Sequence, residues 1–178
     1  VLDRALAVDP LRLLLADEVG LGKTIEAGLV ISELKARGLV RRVLVVAPKG
    51  VQLQWIAEMS ERFDEEIVLV GAGGVPVDVG VDPWRAFDQV VCSTDAVKPI
   101  RGRAGWTPDR VAAHNNQRVR AVVEAGWDLI VIDEAHHVAG SSEDVARHQL
   151  GRYLAEATPR LLLLSATPHS GKSDAFAR

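Results

Sequence analysis

The chain has 178 residues, 48% of them hydrophobic, and a formal net charge of −3. That is enough apolar material for one domain with a real core, and the net charge rules out a polyanion-binding surface made by bulk basicity alone. The single cysteine, Cys92, excludes a disulfide framework or a cysteine-based zinc site and fits a reducing cytoplasm.

In chain order, residues 11–16 are predicted as a strand, 17–22 as a loop and 23 to about 37 as a helix. The helix has Ile25, Leu29, Ile31 and Leu34 as its apolar positions and Gly38 just beyond its end. Residues 43–47 form a second strand ended by Pro48. Residues 51–62 then form a helix with Val51, Trp55 and Met59 in register. Residues 68–70 and 89–93 are weaker strands. Residues 71–80, with four glycines and a proline, form a surface loop, and 99–108 are irregular. Residues 109–124 return to helix, 129–132 are a buried strand, 143–157 a helix, and 160–164 a strand running into Ser165-Ala166-Thr167. Continuous apolar strands alternating with helices predict an α/β fold, a parallel sheet covered on both faces. Trp55, Trp127 and Cys92 are read as packing residues. No apolar stretch reaches the roughly 18 residues of a membrane span, and no export signal opens the chain.

Two segments name a chemistry. Residues 17–24 read DEVGLGKT, a glycine loop leading into a helix. Asp17 stands where the first glycine of the GxxxxGK[ST] pattern would be, but Gly20 and Gly22 still allow close backbone approach to phosphate. The backbone N–H groups of Gly20, Leu21 and Gly22 and the helix N-terminus would hold phosphate. Lys23 would reach the β and γ phosphates, and Thr24 would ligate Mg²⁺. Residues 133–136 read DEAH at the tip of the 129–132 strand. Asp133 is the candidate Mg²⁺ carboxylate and Glu134 the candidate base that activates water. Alone, the first segment could be an ordinary glycine-rich turn and the second a pair of helix-capping acids; together they point to ATP hydrolysis. His136 is read as a hydrogen-bonding group near the γ-phosphate or toward Ser165 and Thr167. Zinc is the weaker reading, since the adjacent His136 and His137 cannot both face one ion from a helix.

DEVGLGKTIEAG, APKGVQLQW, DEAHH and LLLLSATPHSGK resemble motifs I, Ia, II and III of the Swi/Snf-like ATPases of helicase superfamily two. The valine of DEVG and the SATPHSGK ending look most like the bacterial RapA-like branch. The resemblance covers nearly the whole chain and implies a RecA-like P-loop domain. Residues 1–178 would be the first of two RecA-like lobes, with the SAT strand between the phosphate-loop and DEAH strands. That placement would let Ser165 and Thr167 couple nucleotide state to the nucleic-acid groove. The second lobe, with its arginine fingers, and the adenine-reading glutamine motif are not in the sequence. A finger is worth about 10³–10⁵ in rate, so this segment by itself is expected to have little or no ATPase activity.

The resemblance also implies backbone contacts to nucleic acid, from Lys49 in Pro48-Lys49-Gly50 and from Thr94 in Ser93-Thr94-Asp95. Such contacts position without reading sequence. Residues 96–120 hold six basic side chains against one acidic one. Arg101, Arg103 and Arg110 could extend the phosphate track, with Trp106 in reach of a sugar or base; a merely solvated basic face is the alternative. The expected function is that of an ATP- and Mg²⁺-dependent translocase lobe on double-stranded DNA, with RNA not excluded. It would be a cytoplasmic protein with no membrane partner, and the resemblance admits a protein partner such as RNA polymerase. A strand-separating helicase of the same superfamily and a nucleotide-gated partner-binding switch are the alternatives.

Overall fold

The structure, a computed structural model, describes residues 10–16, 22–77, 82–135 and 145–165. Six strands form one sheet: β1 (Arg12–Ala16), β2 (Val43–Val46), β3 (Val68–Val70), β4 (Gln89–Cys92), β5 (Leu129–Ile132) and β6 (Arg160–Ser165). All pairings are parallel, in the order β1-β6-β5-β2-β4-β3. The sequence of β2 is VLVV and that of β5 is LIVI, and every residue of both is buried. Strands without a polar face need cover on both sides, which parallel crossovers supply.

Alternation along these strands divides the core in two. Val43, Val45, Leu129 and Val131 face one layer with Ala27, Val30, Ile31, Trp55 and Met59. These come from α1 (Lys23–Ala36) and α2 (Gln52–Phe63). Leu44, Val46, Ile130 and Ile132 face the other with Trp84, Val122, Trp127, Leu150 and Leu154. That second layer holds α3 (Pro83–Ala86), α5 (Pro108–Val123) and α6 (Val145–Glu156). α1 ends in a Schellman turn: Gly38 at φ +69 lets its N–H bond Lys35 O, while Leu39 N–H bonds Leu34 O.

Element boundaries differ from the sequence expectation by a residue or two. After β2, Pro48 cannot donate, and a 3₁₀ turn (Lys49–Val51) precedes α2. Two four-residue helices were not anticipated. α3 is nucleated by Asp82, whose carboxylate accepts the Trp84 N–H, with Pro83 at its first position. α4 (Thr94–Val97) is capped by Ser93, whose hydroxyl accepts the Ala96 N–H at 3.2 Å. α5 begins at Pro108 rather than Asp109, because Thr107 caps it.

A parallel sheet sends every strand's carboxyl end to one edge. The carboxyl ends of β1 and β6 and the segments after β2, β4 and β5 therefore share that edge, where open α/β sheets bind their ligands.

Candidate functional site

α1 enters the site through Gly22, held at φ +79 and ψ 25, a left-handed conformation a side chain would strain. The first N–H groups of a helix have no intrahelical partner, and Gly22 has no side chain to cap them. These groups and the positive end of the helix dipole present an anion cradle. Lys23 and Thr24 occupy the first turn, both half-buried.

Across β6 stands Asp133, at the tip of β5. Its N–H bonds Val46 O at 2.9 Å, tying it to β2, and the chain then reverses through Glu134, a non-glycine residue at φ +49. Such a backbone costs roughly 1–2 kcal/mol and is the kind of strain that clusters at functional sites. It lets the Glu134 N–H donate to Asp133 Oδ1 at 2.8 Å and Ala135 N–H bond Leu164 O at 2.8 Å. The other carboxylate oxygen, Oδ2, accepts the indole N–H of Trp55 at 2.9 Å. Burial raises the Asp133 pKa above its ordinary value. The Trp55 and Glu134 N–H groups pull it back, the Glu134 charge adds to the rise, and the Lys23 ammonium opposes it. Lys23, at the start of α1, and Asp133, just past β5, both stand at the carboxyl edge of the sheet, although no sequence spacing links them. Ser165 is fully buried and in register with Ala16 of β1. β6 thus lies between the two strands that bear the phosphate-loop lysine and the acidic pair, as the resemblance implied.

Of the predicted residues, Asp17, Gly20, Leu21, His136, His137, Ala166 and Thr167 lie outside the described residues. Lys49 is exposed beside β4, with its ammonium 3.3 Å from Asp95; Asp95 in turn lies 2.7 Å from Lys98. Thr94 opens α4 on the same edge. The loop 98–107 is pinned to α5: Asn115 Oδ1 accepts the Ile100 N–H and its Nδ2 donates to Ile100 O. Arg118 donates to Ala96 O, and so ties α5 to α4. Arg101 and Arg103 are exposed and line a cavity of about 430 Å³ with Trp106, Val111 and Asn115. Trp106 is half-buried among cationic and aromatic neighbours. The Arg103 and Arg110 guanidiniums lie 5.1 and 4.6 Å from its ring centre, and His114 meets it edge-on at 5.0 Å.

Trp55 is what the sequence reading missed. It is a core residue as expected, but a buried indole N–H needs an acceptor, and here the acceptor is the Asp133 carboxylate. Cys92 is fully buried in the other core layer, its thiol pKa pushed up to about 12 by burial, which leaves it inert.

The family model for the SNF2-related domain matches residues 6–176. The chain belongs to this family. The RNA polymerase-associated protein RapA of Yersinia enterocolitica is 40% identical over 171 residues, which cover 94% of this chain and 16% of that protein. The chain therefore spans about a sixth of the length of that relative. Among solved structures, the Sulfolobus solfataricus SWI2/SNF2 ATPase core in complex with dsDNA has a TM-score of 0.66 at 20% identity, over 92% of this chain and 29% of that one. The UvsW helicase from bacteriophage T4 has a TM-score of 0.59 at 14% identity, over 98% of this chain and 52% of that one. These two likenesses establish the RecA-like fold. The chemistry suited to phosphate lies in this chain's own residues: the helix N-terminus at Gly22, the cation of Lys23 and the paired acids.

A resident magnesium fits this donor set. Among the described residues no cluster of three His, Cys, Asp or Glu side chains could hold a metal by itself. Mg²⁺ does not require one, since it takes one or two protein oxygens and completes its shell with water and substrate phosphates. Asp133, with each oxygen already oriented by an N–H and lone pairs left over, and Thr24 would supply those oxygens.

Proposed function

We propose that this chain is the ATP-binding lobe of a translocase that moves along double-stranded DNA and remodels what is bound to it. One arrangement supports this most: β6 lies between β1, the strand before Lys23, and β5, which ends at Asp133, so two motifs far apart in sequence are brought to the carboxyl edge of the sheet. No membrane-related reading competes, since no described helix is long and apolar enough to cross a membrane. A cytoplasmic setting with ATP and DNA at hand goes with the proposal.

In this reading the α1 N-terminus cradles the phosphates and Lys23 neutralises the β and γ groups as charge builds on them. Thr24 and Asp133 would hold the metal, which would supply positive charge to stabilise the γ-phosphoryl group as it transfers. Glu134 orients a water in line with the γ-phosphorus and takes its proton. The P–O bond to the β-phosphate breaks as the new one forms, giving ADP and phosphate. Ser165 and the residues after it would pass the change to the nucleic-acid face.

On that face, Lys49, Thr94, Arg101 and Arg103 would contact the sugar-phosphate backbone, without reading bases. The cavity beside Arg101 and Arg103 supports a phosphate landing there. A second RecA-like lobe of the parent protein would close over the nucleotide and supply arginine fingers. The RapA relative carries RNA polymerase association in its name, so a polymerase is the proposed protein partner. The test is a Glu134→Gln variant of the parent protein. It should bind ATP and double-stranded DNA while DNA-stimulated turnover falls by at least about 10²-fold. Undiminished turnover would refute the assignment.

A further inference from the structure

Two buried tryptophans use their N–H groups differently. Trp127 donates to the carbonyl of Val122 at 2.8 Å, closing the end of the helix that precedes it, as a packing tryptophan does. Trp55 instead reaches from α2 to the tip of β5 and donates to Asp133 Oδ2 at 2.9 Å. Its own relative exposure is 0%. With the Glu134 N–H on Oδ1, the carboxylate has one fixed donor on each oxygen and is held in a single rotamer. Groups that hydrogen-bond a metal-ligating carboxylate orient it for the metal, and their loss typically weakens metal binding by about 10–100-fold.

We infer that Trp55 is a positioning residue: its indole N–H aims the Asp133 carboxylate at the magnesium of the bound nucleotide. This rests on the reading of Asp133 as the magnesium ligand. α2 follows directly on the Lys49–Val51 turn, so the donor comes from the segment that links the sheet edge to the candidate nucleic-acid face.

The test replaces Trp55 by phenylalanine, which keeps most of the ring volume and removes the donor. ATP binding is titrated calorimetrically at a series of Mg²⁺ concentrations in both chains. The Mg²⁺ concentration for half-maximal ATP affinity should rise about 10-fold in Trp55→Phe, with the affinity for metal-free ATP unchanged. A folded Trp55→Phe chain with an unaltered Mg²⁺ requirement overturns the inference. Where the variant does not fold, the wild-type chain decides. The ¹H–¹⁵N indole resonance of Trp55 should move on adding Mg²⁺ and ATP by more than those of Trp84 and Trp127, and an unmoved resonance overturns the inference. A wild-type chain that shows no Mg²⁺-dependent ATP binding sinks the magnesium reading of Asp133 and this inference with it. A Mg²⁺ requirement intact in the wild type and unchanged in the variant sinks the inference alone.

Discussion

The Lys49 ammonium lies 3.3 Å from the Asp95 carboxylate, joining the turn after β2 to the turn after β4. Asp95 also holds Lys98 at 2.7 Å, so one acid sits between two cations where the proposed reading puts a DNA phosphate. The Lys98 hydrogen bond above all, with help from Lys49, holds its pKa below the ordinary carboxylate value against the opposing effect of burial. Asp95→Asn should therefore raise affinity for double-stranded DNA and steepen its salt dependence, while Lys49→Ala should lower both. Each phosphate contact contributes a slope of about 0.9 in log K against log salt. Binding measured over a salt series checks this, and an unchanged slope in both variants would remove Lys49 from the interface. Stability should change by less than about 1 kcal/mol in either, since the pair is exposed.

The Asp133 carboxyl gives a pH dependence of opposite sense. Burial above all raises its pKa from 3.8, so without metal the folded chain holds the proton more tightly than the unfolded one does. Its contribution to stability is thus full below 3.8 and declines as pH rises through the raised value. Metal needs the deprotonated form. Mg²⁺–ATP affinity should therefore fall on acidification at a pH above that of an exposed aspartate. ATP titrates in the same range, so the measurement is a comparison with Asp133→Asn. The advantage of the wild type over the variant should narrow as the pH falls.

Gly28 marks the closest approach of α1 to α2. A Cβ there would lie 2.2 Å from Phe63 Cε2. Alanine normally stabilises a helix interior over glycine by about 1 kcal/mol, yet Gly28→Ala should destabilise this chain by about 1–3 kcal/mol. In a Phe63→Ala background the same change should turn stabilising. Chemical denaturation of the four proteins of that cycle decides it.

Arg42, just before β2, is a fastener at the opposite edge of the sheet. Its guanidinium donates to Ala125 O at 2.6 Å, to Phe87 O at 3.2 Å and to Trp84 O, and it stacks on Trp127 at 4.8 Å. Lysine cannot reproduce the planar fork. Arg42→Lys should lower unfolding stability by about 2–3 kcal/mol, read from a urea transition, without altering nucleotide binding at the far edge.

The strands that were legible in the sequence were those whose physics is local. VLVV and LIVI can only be buried strands, and Gly38 announces the end of α1. β3 was harder to read because three residues carry little signal; it is completed by the turn beyond it, where Val70 bridges Val75. The four-residue helices α3 and α4 depend on single caps at Asp82 and Ser93, too short to show a period. The shared edge of Lys23, Asp133 and Glu134 followed from motif and strand order. The Trp55–Asp133 bond did not, because its partners stand 78 residues apart and apolar spacing explains Trp55 without it. Arg42 was silent for the same reason. The contacts of Arg103 and Arg110 with the Trp106 ring were silent too, since nothing in its flanking sequence announces them.

The most direct measurement is calorimetric titration of the chain with ATP in the presence of Mg²⁺, beside Lys23→Ala. One saturable site, weakened about 10–100-fold by loss of the Lys23 ammonium, is the predicted result. No binding by the wild type, or equal binding by both, would contradict the account.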